Sequence, residues 1–201
     1  MIGAGEMMDS QEKVDAIVML IWQLSGFGIT QLLKKEEFNK LKFETIAKIS
    51  TETTLFLLHF CDREIFSFVG PQKRDVIMVG VLEKFSKKLE EHDDKVLKKL
   101  YGERSDKNLD KYFDYLSKSA FSVGFREAYN ERQVEYGAYK KLYAEKGEPL
   151  KDTLVWEFGK KINLLATEYP HPVITTSVSI LASEMIITCI KSLKQILEIE
   201  K

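Results

Sequence analysis

The feature that most constrains this chain is the stretch from Thr45 to Val69, TIAKISTETTLFLLHFCDREIFSFV, closed by Gly70-Pro71. From Leu55 to Val69 it is apolar almost all round, which on a helix means burial on nearly every side. The same stretch carries Glu52, His59, Asp62 and Arg63. At about 100° per residue these four share roughly a third of the helix circumference with Leu55 and Phe66. A helix that is buried yet polar along one stripe belongs at the centre of a bundle, near residues 52–69.

The rest of the chain supplies helices to surround it. Asp9 with Glu12 three residues on has the form of a capping box, followed by Val14, Ile17, Val18, Leu20, Ile21 and Leu24 at helical spacing. Gly26 and Gly28 bracket Phe27 and predict a break or kink. A second helix is expected to begin near Glu36-Glu37 and to run into the central stretch, with Ser50-Thr51 as a weak point. Gly70-Pro71 ends it, since proline suits the first turn of a following helix. The third helix, about Gln72 to Tyr101, puts Ile77, Val81, Phe85 and Leu89 on one side. Its second half, KKLEEHDDKVLKK, reads as a solvated helix with a thin apolar edge of Leu89, Val96, Leu97 and Leu100, laced by acid-first pairs such as Glu91 with Lys95.

A long fourth helix is expected from Ser105 or Asp106 through Lys146, and Gly147-Glu148-Pro149 ends it. A fifth follows with Leu150, Leu154, Phe158, Ile162 and Leu165 at near-helical spacing. After Tyr169-Pro170-His171-Pro172, a last helix covers Val173 to Glu200. No segment alternates like a strand, so the fold class is all-α: one helical domain over 1–201, a bundle of about six helices.

Charge and composition narrow the function. Thirty basic residues stand against 31 acidic ones, a formal net charge of −1, so no broad basic field attracts nucleic acid. The N-terminal residues lack the basic and apolar regions of a signal peptide. Ala16 to Trp22 is too short to span a bilayer, and Glu184, Lys191 and Lys194 interrupt the last helix. These observations predict a cytoplasmic protein without a membrane partner. Cys61 and Cys189 sit in apolar runs and read as small buried hydrophobes.

Three constellations are candidates for chemistry. The stripe of Glu52, His59 and Asp62 has the donors of a metal site, although a structural network satisfying the same groups is the plainer reading. Glu168 and His171 have Glu-x-x-His spacing, but the proline between them places them outside a regular helix. His92-Asp93, with His59 and Asp152, follows the residue order of a metal-dependent phosphohydrolase site, yet it lies in a charged run where no shaped cavity is expected. The third is the face of Phe121, Phe125, Tyr129, Arg132, Tyr136, Tyr139 and Tyr143, which suits either core packing or recognition. Glu184 groups with Ser177, Thr188, Lys191 and Gln195 and is expected to face outward.

The sequence thus supports a non-enzymatic bundle that binds a small apolar ligand or a protein partner. Its expected contacts are Phe125, Tyr129, Arg132, Tyr136, Tyr139, His59 and Arg63, and a homodimer is expected on the commonness of such assemblies. The alternative is a metal-binding bundle with redox or hydrolytic activity at Glu52, His59 and Asp62. No motif identifies a cofactor.

Overall fold

The computed structural model describes residues 9–102, 109–118, 121–145, 148, 150–167 and 171–199. Of these, 81% are helical and none lies in a strand, which makes the chain an all-α bundle. Six helices follow in order among the described residues: α1 (Ser10–Leu33), α2 (Phe43–Tyr101), α3 (Leu109–Lys118), α4 (Phe125–Gly137), α5 (Leu154–Ala166) and α6 (Pro172–Ile196). All the others except α3 share one continuous core with α2, whose residues 52–62 are buried without interruption.

The capping box that opens α1 forms as expected: Glu12 N donates to the Asp9 carboxylate at 2.7 Å, and Asp9 N donates to Glu12 at 2.9 Å. The expected break at Gly26 and Gly28 does not occur. The helix runs on to Leu33 because Gly28 serves a close approach instead, a Cβ there lying 2.7 Å from Met185 Sδ of α6. The next helix does not start at Glu36-Glu37 either. Phe38 plugs the core at 1% exposure, so the chain turns through 34–40 and enters α2 only at Phe43.

Gly70 divides α2 into two arms, with φ 77° and ψ 174° that only glycine adopts without strain. Ser50-Thr51 causes no break. Thr51 and Thr53 donate their hydroxyls back to Ala47 O (3.1 Å) and Ile49 O (2.8 Å), so neither competes with the helix. Cys61 and Cys189 are both free and buried, their sulphurs 3.3 Å apart between α2 and α6.

The long fourth helix is two helices. Its expected start at Ser105 or Asp106 lies outside the described residues, as does most of its Gly147-Glu148-Pro149 end. Between α3 and α4 the chain turns through Gly124 at φ 70°, and α4 stops at Gly137 rather than Lys146. The strap that follows is held by its carbonyls. Arg63 donates to Tyr139 O and Lys140 O, while Leu154 N and Val155 N donate to Lys141 O (2.9 Å) and Leu142 O (3.1 Å). α5 and α6 form a hairpin tied by Asn163, whose amide donates to His171 O (2.8 Å) and Thr175 Oγ1 (2.9 Å).

Among the described residues, two helices are long and apolar enough to cross a membrane by length and composition: Ser10–Leu33 and Pro172–Ile196, with 18-residue windows of mean hydropathy 1.6 and 1.8. Such helices are also common as core helices of soluble proteins, so they do not decide the expectation drawn from Ala16–Trp22 and from the charges of the last helix. The apolar run of α1 extends well beyond those seven positions, and α6 carries a single central charge, Glu184, with Lys191 and Lys194 near its end. Within the bundle 39% and 50% of those windows are buried.

Candidate functional site

The polar stripe of the first arm of α2 is closed over by α4. Glu52, 5% exposed, accepts a forked contact from Arg132: Nε lies 2.9 and 3.0 Å from its two oxygens and Nη2 2.9 Å from Oε2. The Tyr136 hydroxyl donates to the same carboxylate, and Lys161 stands 4.0 Å away. Asp62 turns to the second arm, where Arg74 meets both of its oxygens across the Gly70 kink. That bond holds the Arg74 guanidinium more firmly charged, as Glu52 does for Arg132. Arg63 is engaged by the strap carbonyls.

His59 has one partner, Gln133 Oε1, 2.8 Å from Nδ1. Its Nε2 and the Gln133 amide nitrogen are buried without partners. Burial, chiefly, pushes the His59 imidazole below its usual range, so it is neutral in the folded chain.

Glu52, His59 and Asp62 therefore share a helix face but not a focus, because each carboxylate is aimed at a different arginine. Among the described residues no group of three His, Cys, Asp or Glu side chains is arranged to hold a metal ion. His171 caps α6, its ring accepting from Val173 N at 3.3 Å, and Glu168 lies outside the described residues.

The aromatic face of α4 closes inward on this seam. Phe125, Tyr129 and Tyr136 are buried, with Phe125 stacked on Phe85 at 5.8 Å and Tyr136 edge-on to Phe56 at 6.1 Å. Tyr139, Tyr143 and Phe121 are half-buried against the same core. Arg132 is held by Glu52 and by Glu135 at 3.1 Å. Of the residues expected to contact a ligand, His59, Arg63, Arg132, Tyr136 and Tyr139 meet in a packed seam rather than around a space, while Phe125 packs on Phe85 of the second arm and Tyr129 is buried in the same core.

One open space lies elsewhere, between α1 and α2, and reaches the run of the second arm read as solvated. Asp93 is 2% exposed. It accepts from Phe121 N (3.0 Å), Ser122 N (2.7 Å), the Ser122 hydroxyl (2.7 Å) and the Tyr115 hydroxyl (3.3 Å). Burial alone would raise this carboxyl, but His92 beside it and the Phe121 and Ser122 donors outweigh burial and hold it below its usual range. Asp93 thereby fixes the turn that separates α3 from α4, which is why one long helix does not form there.

His92, one residue earlier, faces a cleft of about 300 Å³ lined by Trp22, Ser25, Gly26, Ile29, Thr30, Ser50, Thr54, Leu89, His92 and Phe121. Its ring stands edge-on to Trp22 (5.5 Å) and Phe121 (5.1 Å). Nδ1 is buried without a hydrogen bond, 3.8 Å from Asp93 Oδ1. Neither His59 nor Asp152 lines this cleft; Asp152 sits exposed in the turn before α5 with φ 65°. The sequence places His92-Asp93 among charged neighbours, where no shaped cavity is expected. The sequence signal for the cleft was Trp22 and Gly26 on α1, one helical turn apart.

Comparison of the chain with protein-family models, with curated proteins and with solved structures finds no match. The cleft is mostly apolar, with a few convergent polar groups, which is the usual make-up of a small-molecule site.

Proposed function

We propose that this protein is a non-enzymatic helical bundle that binds a small, largely apolar molecule in the cleft between α1 and the second arm of α2. One observation carries this reading: Trp22, Ile29, Leu89 and Phe121 wall a space that also takes in the ring of His92, whose side chain keeps 34% of its surface open while its Nδ1 is buried on the Asp93 side. The tyrosine face of α4 was the other surface open to such a role, and its burial in the seam weighs against it. The alternative of a metal-binding bundle loses support for a similar reason, since the carboxylates of Glu52 and Asp62 already meet arginines.

The proposal sets the bundle in the cytoplasm with α1 and α6 as core helices. Supporting this, Ile17 and Ile21 of α1 and Val178 and Ile186 of α6 are fully buried among the other helices, while Asp15, Gln23, Glu184 and Lys191 face outward.

Naphthalene, a flat apolar probe, tests the reading when titrated against the full chain with the Trp22 indole N–H followed by NMR. Saturable shifts at Trp22 are expected. Gly26→Leu, which extends a side chain from the cleft wall, should abolish them while leaving the circular dichroism spectrum unchanged. Shifts centred on Trp156 of α5 instead, or none at all, would remove the cleft as a binding site.

A further inference from the structure

The polar atoms around the cleft are not a random mixture. We propose that the cleft selects neutral, planar molecules bearing a hydrogen-bond donor, such as a phenol or an aryl N–H, and takes that donor on Nε2 of His92. The inference rests on the cleft being a binding site and concerns which chemistry it prefers.

The tautomer of His92 is set by Asp93. The carboxylate is buried and already held by backbone and hydroxyl donors, so it keeps its charge, and its Oδ1 lies 3.8 Å from the buried Nδ1 of His92. A fixed negative charge on that side favours the proton on Nδ1 and leaves the lone pair on Nε2. Nε2 has no partner among the described residues, and the ring is one wall of the cleft.

The wall threonines point the same way. Thr54 donates its proton to Ser25 Oγ at 3.1 Å, and Thr30 donates its own to Gly26 O at 2.8 Å. The two threonine oxygens are left with lone pairs only, while Ser25 and Ser50 keep their own hydroxyl protons. An anion would still face the lone pair of His92 Nε2, with the charge of Asp93 behind it. A wholly apolar molecule would strip water from those acceptors and return nothing. A flat molecule with one donor satisfies both conditions, its ring between Trp22 and Phe121 and its donor on the imidazole. A nearby ammonium, Lys88 Nζ, stands over the Trp22 ring at 5.1 Å and is not part of the lining.

Three probes with one ring system separate the possibilities: 2-naphthol, naphthalene and 2-naphthoate, each titrated against the full chain at neutral pH. 2-Naphthol is expected to bind about 5-fold more tightly than naphthalene, the worth of one net hydrogen bond, and 2-naphthoate is expected to bind most weakly. His92→Leu should bring 2-naphthol and naphthalene to the same affinity. His92→Gln, which restores an acceptor oxygen, should return part of the preference. If naphthol and naphthalene bind alike in the unmutated chain, or if naphthoate binds best, the donor preference is overturned although the cleft still binds. If none of the three binds, or Gly26→Leu leaves all three unaffected, the cleft itself is refuted as the site.

Discussion

The two arms of α2 each bring a histidine and an aspartate three residues apart or fewer into the bundle, and they end in opposite circumstances. On the first arm, His59 and Asp62 lie under α4, and the exposure of His59 is 2%. On the second, Asp93 is buried as completely, but the His92 side chain keeps 34% of its surface open at the wall of a cleft. Residue types are nearly the same. The difference lies in what packs on top: α4 brings Arg132, Gln133 and Tyr136 down onto the first arm, whereas α1 presents Gly26 and the small hydroxyl of Thr30 to the cleft beside the second. A polar residue covered by long polar partners becomes structure. One faced by small residues is left an open valence, and that is where ligand chemistry belongs.

The comparison breaks most decisively at Glu52. Replacing it with alanine leaves the Arg132 guanidinium and the Tyr136 hydroxyl facing an apolar hole. Glu52→Ala should cost about 3 kcal/mol, near the low end for a buried pair, because Arg132 retains 23% exposure. On the cleft side, Thr30→Ala removes an exposed hydroxyl bonded only within its own helix and should change stability by no more than about 0.5 kcal/mol. Urea unfolding of both variants measures the contrast. A Glu52→Ala loss below about 1 kcal/mol would mean that the seam is no more closed than the cleft.

Much of the fold was legible because local chemistry settled it. Asp9 and Glu12 close their capping box by themselves, and Gly70-Pro71 divides α2 whatever surrounds it. The apolar run around Leu55 to Cys61 has no choice but the core. The errors arose where a distant residue overrode local propensity. Phe38 is drawn into the core and delays α2; Asp93 captures the backbone of Phe121 and Ser122 and splits the fourth helix; Met185 approaches Gly28 and turns an expected break into a contact. The site was misread for the same reason. Nothing adjacent to His92 in sequence reveals that Trp22 and Phe121 flank its ring, and nothing adjacent to Tyr136 reveals that Glu52 awaits its hydroxyl.

Protons probe the closed side next. Burial lowers the His59 pKa, so the folded chain holds this ring neutral while the unfolded chain takes up a proton near the ordinary value of about 6.5. Below that pH the unfolded state binds more protons, and stability falls as pH falls, by at most about 1.4 kcal/mol per unit, until the folded ring titrates as well. His59→Gln removes this contribution. The difference between unmutated and variant stability should be flat above about pH 7 and should shrink from there to about pH 5. A difference that instead widens toward acid would mean that the folded chain stabilises the protonated ring, and with it that His59 is not in a closed seam.

The smallest effect contrasts open and packed space within a single helix. Gly26 and Gly28 both lie inside α1, where glycine costs roughly 1 kcal/mol relative to alanine in an exposed helical position. A Cβ on Gly26 meets nothing within 4 Å, while one on Gly28 would lie 2.7 Å from Met185 Sδ and 3.5 Å from Thr53 Cγ2. Gly26→Ala should therefore stabilise the protein by about 0.5–1 kcal/mol, through helix propensity and a less flexible unfolded chain. Gly28→Ala gains the same backbone term but has to displace the Met185 side chain in a packed core, which typically costs 1–3 kcal/mol. It should end less stable than Gly26→Ala by about 1 kcal/mol or more. Thermal melts of the two variants decide the matter. Equal stabilisation would show that the α1–α6 contact yields as easily as the cleft is empty, and the distinction between a packed side and an open side of α1 would go with it.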